Sequence, residues 1–325
     1  LITIRKIDDK LYFEFPKSLL GREFLMGSSI SATSDNTSGL VGQTMTTPLH
    51  IRFAIQEDQV YMQNVTPVSR MDVYSNQSDI SKAVAKSNIT PDMESFKIAA
   101  YNMDSTAVVF EVTKFFLADN KRLPLFDQNS SSLEDEKYGQ LELKAVLKKN
   151  LSSIRNFYVF DDNLEINLDM SFYQSLLASK KEVRGGNVRV KAVYSMLLLP
   201  EETMVWRLGD PRLGYTFTKK QKISTEKDGT AFSYLQHKWN LLPADEEAYR
   251  RGDLVAPRKP VVFYIDSDFP EAWKKAIKEG VNWWNEAFKM AGFKDAVQTA
   301  DFPANDTTFY AGNLKYSCIR YVPVH

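Results

Sequence analysis

Imidazoles are the scarcest chemistry-bearing side chains here: His50, His237 and His325 are the only three in 325 residues. A zinc site of the H-E-x-x-H kind needs two histidines four apart on one helix face, with a glutamate to activate the metal-bound water. None of the three has a histidine at that spacing. His50 falls in a strand-like run and His237 beside Trp239, places where a packed or hydrogen-bonded imidazole is the ordinary occupant; His325 is the last residue. The single cysteine, Cys318, can make neither an internal disulfide nor a Cys-x-x-Cys unit, and it reads as a half-buried strand-end residue. Phosphate-cradling, dinucleotide-binding and nucleophile-elbow glycine patterns are absent from the chain. A glycosidase needs only two carboxylates flanking one bond, but spacing singles out no pair among 41. Asp210-Pro211-Arg212, followed by Gly214, reads as a turn locked by an ion pair or backbone hydrogen bonds. Trp283-Trp284 invites carbohydrate stacking, yet Trp284 falls on an apolar helix stripe with Trp283 near its flank, so packing in a core or domain contact is expected. No catalytic residue and no metal ligand is assigned from these residues, and the substrate-binding residues are unknown.

The elements that would position a site divide in two. Over the first two-thirds, period-two runs predict strands. Leu1–Ile7 and Leu11–Phe15 form one hairpin across Asp8-Asp9-Lys10, and Leu49–Ile55 and Val60–Val65 a second across Glu57-Asp58-Gln59. Phe96–Tyr101, Ala107–Phe116, Leu164–Met170 and Val188–Leu199 are further strands, with Gly185-Gly186 as a turn and Ser28–Thr47 as a loop. Short helices are expected at Asp79–Lys86 and Leu141–Lys149. The stretch from Pro243 to Pro260, with three prolines and many charges, reads as a connection holding a short helix at Asp245–Arg251.

Beyond it the pattern changes. Val261–Ile265 is an apolar run of the kind buried on both faces of a parallel sheet. Asp266-Ser267-Asp268 offers an N-cap, and Pro270 suits a first helical turn. Trp273, Ile277, Val281, Trp284, Phe288 and Ala291 then follow one helical stripe, and Gly292 sits where a left-handed C-cap is wanted. Ile319–Val322 reads as the next strand. Strand, helix, strand is the opening of an α/β layer. The fold class is therefore α+β: a β-rich N-terminal domain over 1–242, a linker over 243–260, and a βαβ portion over 261–325.

Lysine plus arginine and aspartate plus glutamate balance at 41 each, which gives no electrostatic reason for a nucleic-acid or anionic-membrane partner. The short basic run Lys219–Lys222 reads as solvated surface. No apolar run approaches the ~20 residues of a membrane-spanning helix. Seven Asn-x-Ser/Thr triplets, beginning at Asn36, Asn64, Asn76, Asn88, Asn129, Asn150 and Asn305, are taken as the chance yield of an Asn-, Ser- and Thr-rich chain. The chain opens on Leu1, so the natural N-terminus and any signal peptide are expected upstream.

The stretch KPVVFYIDSDFPEAWKKAIKEGVNWWNEAFKMAGFKDAV, from Lys259, resembles the start of the catalytic domain in a family of large bacterial zinc-dependent metallopeptidases with a metzincin-like core. VKAVYSMLLLPEETMVWRLGDPRLGYTF (Val190–Phe217), HKWNLLPADEEAYRRGDLVAPRKP and EFPKSLLGREFLMGSSIS resemble upstream blocks of the same family, so the likeness covers nearly the whole chain. It implies peptide-bond hydrolysis by a zinc-activated water, a protein or peptide substrate, and a periplasmic, outer-membrane-associated or extracellular location. In that family the zinc-binding helix follows the first strands of the α/β layer, which places it beyond His325, in a C-terminal catalytic half. Zinc is thus expected in the intact protein and not on this stretch. The competing reading is a non-enzymatic surface or periplasmic module that binds glycan or protein.

Overall fold

The computed structural model of the chain describes residues 2–36, 39–66, 71–73, 82–83, 86–126, 134–223, 231–306 and 308–323. The chain folds into two compact units. The first comprises residues 1–201 and 219–233; the second comprises 202–218 and 234–323. The architecture is a β-rich mixture of antiparallel sheet and a smaller α/β portion.

Among the described residues, fourteen strands precede residue 200: β1 (Thr3–Ile7), β2 (Lys10–Pro16), β3 (Glu23–Thr33), β4 (Leu49–Gln56), β5 (Gln59–Asn64), β6 (Met71–Val73), β7 (Asp92–Tyr101), β8 (Ala107–Glu111), β9 (Glu134–Asp135), β10 (Gly139–Gln140), β11 (Glu142–Leu147), β12 (Ser153–Val159), β13 (Asn163–Ala178) and β14 (Lys181–Leu198). One curled antiparallel sheet takes most of them, in the order β1-β2-β8-β7-β5-β4-β3-β14-β13-β11, with β12 also paired to β13. The Lys6 ammonium on β1 reaches the Ile154 carbonyl on β12 at 3.0 Å, so the two ends of the curl approach each other.

Period-two alternation builds the core of this unit. Leu11, Phe13 and Phe15 of β2, Phe24, Met26 and Ile30 of β3, and Val190, Ala192, Tyr194 and Met196 of β14 all point inward and are buried. Phe15 and Phe53 pack with 4.8 Å between ring centres and their planes tilted by 51°, with Phe24 and Phe110 about them. Burying each such ring stabilises the fold by about 1.5–3 kcal/mol. A helical turn, α1 (Thr113–Phe116), adds Phe115 and Phe116 to the same core. The outward face of β13 buries a carboxylate, Asp169, whose Oδ2 accepts from Arg155 at 2.9 Å and Arg189 at 2.8 Å, tying β12, β13 and β14 together.

Both expected hairpins form, with Asp8 and Glu57 at positive φ in their two-residue turns. Several other expectations are corrected. Leu141–Lys149 is no helix: Leu143, Ala145 and Leu147 alternate inward along β11, where pairing to β13 settles a pattern that a helix would also fit. Gly185-Gly186 makes no turn; both lie inside β14, and the long β13–β14 hairpin turns at Ser179-Lys180, with φ of 48° and 68°. The Ser28–Thr47 loop begins only after β3 ends at Thr33, and β8 stops at Glu111, where α1 takes over. The helix expected at Asp79–Lys86 falls largely outside the described residues, of which 82–83 and 86 are helical.

Strands β15 (Phe217–Ile223) and β16 (Ala231–Gln236) pair with each other, and β15 with β6, in a separate three-stranded sheet. In the second unit, the stretch expected as a linker is itself structured. Helix α2 (Glu246–Arg251) is capped by the Asp245 carboxylate, which accepts from Ala248 N at 2.9 Å, and ends on Gly252 at φ 90°. Ala248 and Val255 pack with Phe293 and Ala296 in a small core. Then β17 (Val261–Ile265), α3 (Glu271–Asn282), α4 (Trp284–Met290), β18 (Val297–Asp301) and β19 (Ser317–Ile319) follow. Both β18 and β19 pair with β17 in parallel, in the order β18-β17-β19, so a strand–helix–strand crossover is present. The last strand covers Ser317–Ile319 instead of Ile319–Val322. Asn285 of α4 clamps helix to sheet: its amide donates to Val297 O at 2.8 Å and accepts from Val297 N at 3.0 Å.

Candidate functional site

The histidines take structural partners. On β4, His50 Nε2 lies 2.7 Å from Glu23 Oε2 of β3. His237, just past β16, has its Nε2 2.9 Å from Thr218 Oγ1, and its backbone N–H donates to Thr216 O. His325 lies outside the described residues. His50 belongs to the first unit and His237 to the second. Among the described residues no three His, Cys, Asp or Glu side chains converge to hold a metal ion. The donor set a catalytic zinc requires is not assembled from them, and no step of a metal mechanism can be routed through these residues.

Cys318 sits at the centre of β19 opposite Tyr264, half-buried. Burial pushes its thiol above the ordinary range, with Asp266 adding and Arg320 opposing. That shift disfavours the thiolate, the form in which a cysteine attacks. The Asp210–Arg212 turn is closed on itself: the Asp210 carboxylate accepts from the Arg212 backbone N at 3.0 Å and from its Nε at 2.9 Å. The guanidinium holds the Asp210 carboxyl below the usual carboxylate range. The locked turn read from the sequence is what forms.

Open α/β sheets place ligands beyond the carboxyl ends of their strands. At that end of β17, Asp266 is buried at 7% exposure. In the sequence it is one of the three residues, Asp266-Ser267-Asp268, that offer an N-cap to the following helix. Instead its Oδ1 accepts from Asp268 N and its Oδ2 from Tyr321 N, both at 3.2 Å, so it fastens the chain after β17 to the chain after β19. Pro270 occupies the N-cap of α3 with no side-chain bond to the helix. Nearby, Lys278 pairs with Asp301 at 2.7 Å. A half-open pocket of about 430 Å³ lies beside the first residues of β17, where the short β19 leaves a gap; Trp239, Tyr264 and Tyr316 line it with Lys259 and Lys315. It offers rings and ammonium groups, and no acid–base pair.

The aromatic surface departs furthest from expectation. Trp206, Trp239, Trp273, Trp283 and Trp284 are all five tryptophans of the chain, all belong to the second unit, and each is more than half exposed. The helical stripe read as core is only half-covered: Ile277, Val281 and Phe288 are partly buried, while Trp273 and Trp284 stand in solvent. Three short strands present too narrow a face to cover so wide a stripe. A further open cavity, about 1020 Å³, runs beside β7 in the first unit. No single-residue signal announced it, because it is made by strand pairing.

No curated protein and no solved structure matches the chain. Two family models do. One, described as the domain of unknown function DUF5118, matches residues 1–33, and the other, the domain of unknown function DUF5117, matches residues 42–244. The first supplies β1, β2 and β3, and the second supplies the remaining strands of the large sheet, so the two matches share a single continuous sheet. The chain belongs to the DUF5117 family, with a DUF5118 segment ahead of it.

Proposed function

We propose that this chain is the N-terminal part of a secreted bacterial zinc metallopeptidase, with the zinc ligands and the water-activating glutamate supplied by a downstream catalytic half. The observation that carries the reading is the block from Lys259: the segment resembling the start of a metzincin-like catalytic domain folds as a parallel strand–helix–strand unit, with β19 added on the other side of β17. On this reading β17 and the α3–α4 helices are backing structure for the catalytic half, and zinc supplies the Lewis acid that activates water for peptide-bond hydrolysis. The curled sheet of the first unit shapes the substrate cleft or restrains the enzyme before processing. The 325-residue stretch by itself cleaves nothing. Reading the gene beyond His325 tests the proposal: an H-E-x-x-H helix within roughly one hundred residues is expected, and its absence would end the idea.

The five exposed tryptophans favour a second reading, a non-enzymatic surface or periplasmic module for glycan or protein. A glycan array probed with this chain separates the two. The peptidase reading expects no strong signal, and the binding module expects a selective one that Trp283→Ala and Trp284→Ala remove.

A further inference from the structure

Strand β7 changes partners along its length. Its residues Asp92–Lys97 pair with β5, whereas Ile98–Tyr101 pair with β8, and the β8 register slips between Ile98 and Ala100. The other partner is missing over the first half because β8 ends at Glu111 and the chain turns away into α1. Among the described residues, no strand therefore pairs with the β8-facing edge of β7 from Glu94 to Lys97. The open cavity of about 1020 Å³ runs along six consecutive residues there, Glu94–Ala99, with Lys114, Phe115 and the segment 118–122 as its opposite wall. Ile98 is paired to β8, so the free edge is the four residues Glu94–Lys97, about 13 Å of strand.

Backbone geometry fixes what the edge offers. Ile98 N donates to Asp58 O at 2.9 Å, so the N–H groups of Ile98, Phe96 and Glu94 face β5. Ser95 and Lys97 consequently turn their N–H and C=O groups toward the cavity. One end of the edge is closed, since Arg122 reaches Met93 O at 3.5 Å and Glu94 at 3.7 Å. The core side of the cavity is apolar, with Phe96 and Phe115 6.2 Å apart. Its charged lining is mixed, with the carboxylates engaged: Glu111 by Lys10, Glu94 by Arg122, and Asp119 in the field of Lys121, while Lys97 and Lys114 form no ion pair among the described residues.

The geometry points to a peptide-binding slot in which an extended segment adds to β7 as a further strand. Main-chain bonds to Ser95 and Lys97 hold it, alternate apolar side chains meet Phe96 and Phe115, and the intervening acidic side chains meet Lys97 and Lys114. Strand addition of this kind takes affinity from the backbone and selectivity from the alternate side chains. The assignment stands apart from the peptidase reading, since it concerns binding by the first unit and no hydrolysis.

The test uses the 325-residue chain and a fluorescent, end-capped heptapeptide alternating valine and glutamate, followed by anisotropy. Three comparison peptides are needed: one alternating valine and lysine, and two acidic ones N-methylated at odd or at even positions. The acidic peptide should bind at least about tenfold tighter than the basic one at low salt. Methylation in one register should abolish binding, while the other leaves it nearly unchanged, because only one set of amides faces β7. Lys97→Glu with Lys114→Glu should reverse the charge preference without unfolding the chain, since both lie on the rim. Binding should also slow amide exchange at Ser95 and Lys97. No binding at millimolar peptide, or equal tolerance of methylation in both registers, overturns the proposal.

Discussion

Tyr194 stands in the middle of β14 with its ring edge-on to Phe116 at 5.6 Å. Burial, with the Asp119 carboxylate adding, pushes its phenol well above the ordinary range. An unfolded tyrosine releases its proton near pH 10, roughly. Above that pH the native state therefore holds a proton that the unfolded state has lost, and stability falls as pH rises. Tyr194→Phe should remove this contribution, separating the two stability curves by about 1.4 kcal/mol per pH unit above pH 10. Urea titrations at pH 9 to 11 measure it, and parallel slopes for parent and variant would contradict the burial argument. At the same scale the chemistry-bearing residues were read correctly in part. His50, His237 and the Asp210 turn each have the local partners that a packed or hydrogen-bonded reading requires. The fastening role of Asp266 was not legible, because the two N–H groups its carboxylate accepts from belong to Asp268 and to Tyr321, which is 55 residues away.

Helix ends in the second unit rest on backbone conformations that few residues adopt. Gly292 closes α4 at φ 86°, and a Cβ there would lie 2.7 Å from Cε2 of Tyr249. Gly292→Ala should cost about 1–3 kcal/mol from the left-handed conformation, with the ring contact adding to it. Because every tryptophan lies in the second unit, intrinsic fluorescence during urea unfolding reports this loss directly. An unchanged midpoint would count against the strain. Pairing the change with Tyr249→Ala should recover the contact part alone. Elements were legible where one periodicity excluded the other. The β4–β5 hairpin alternates strictly about Glu57-Asp58, and α2 carries both its Asp245 cap and its Gly252 stop. They were illegible where both periods fit, as in β11. Nor could the sequence show that β13 and β14 extend to 16 and 18 residues, a length set by their mutual pairing. The slot beside β7 lies beyond sequence reading for the same reason. It exists because β8 stops one partner short.

Across the molecule, the two family models cut through a single sheet. Strand β3, matched by the DUF5118 model, is hydrogen-bonded between β14 and β4, both matched by the DUF5117 model. A chain beginning at residue 42 loses β1, β2 and β3, and with them Phe13, Phe15 and Phe24 from the aromatic core. Such a chain should show no cooperative urea transition and weak near-ultraviolet dichroism, the signature of lost packing. A native-like transition would show that the DUF5117 segment folds unaided. The α/β portion was readable as strand, helix and strand, but its exposure was not, because the residues able to cover Trp273, Trp283 and Trp284 are a matter of tertiary context. The peptidase reading meets its most direct test in metal content. Elemental analysis of the intact gene product, purified beside the 325-residue chain, should find about one zinc per molecule in the former and essentially none in the latter. An intact product free of zinc when purified without chelator, or a tightly held zinc on the 325-residue chain, would contradict the account.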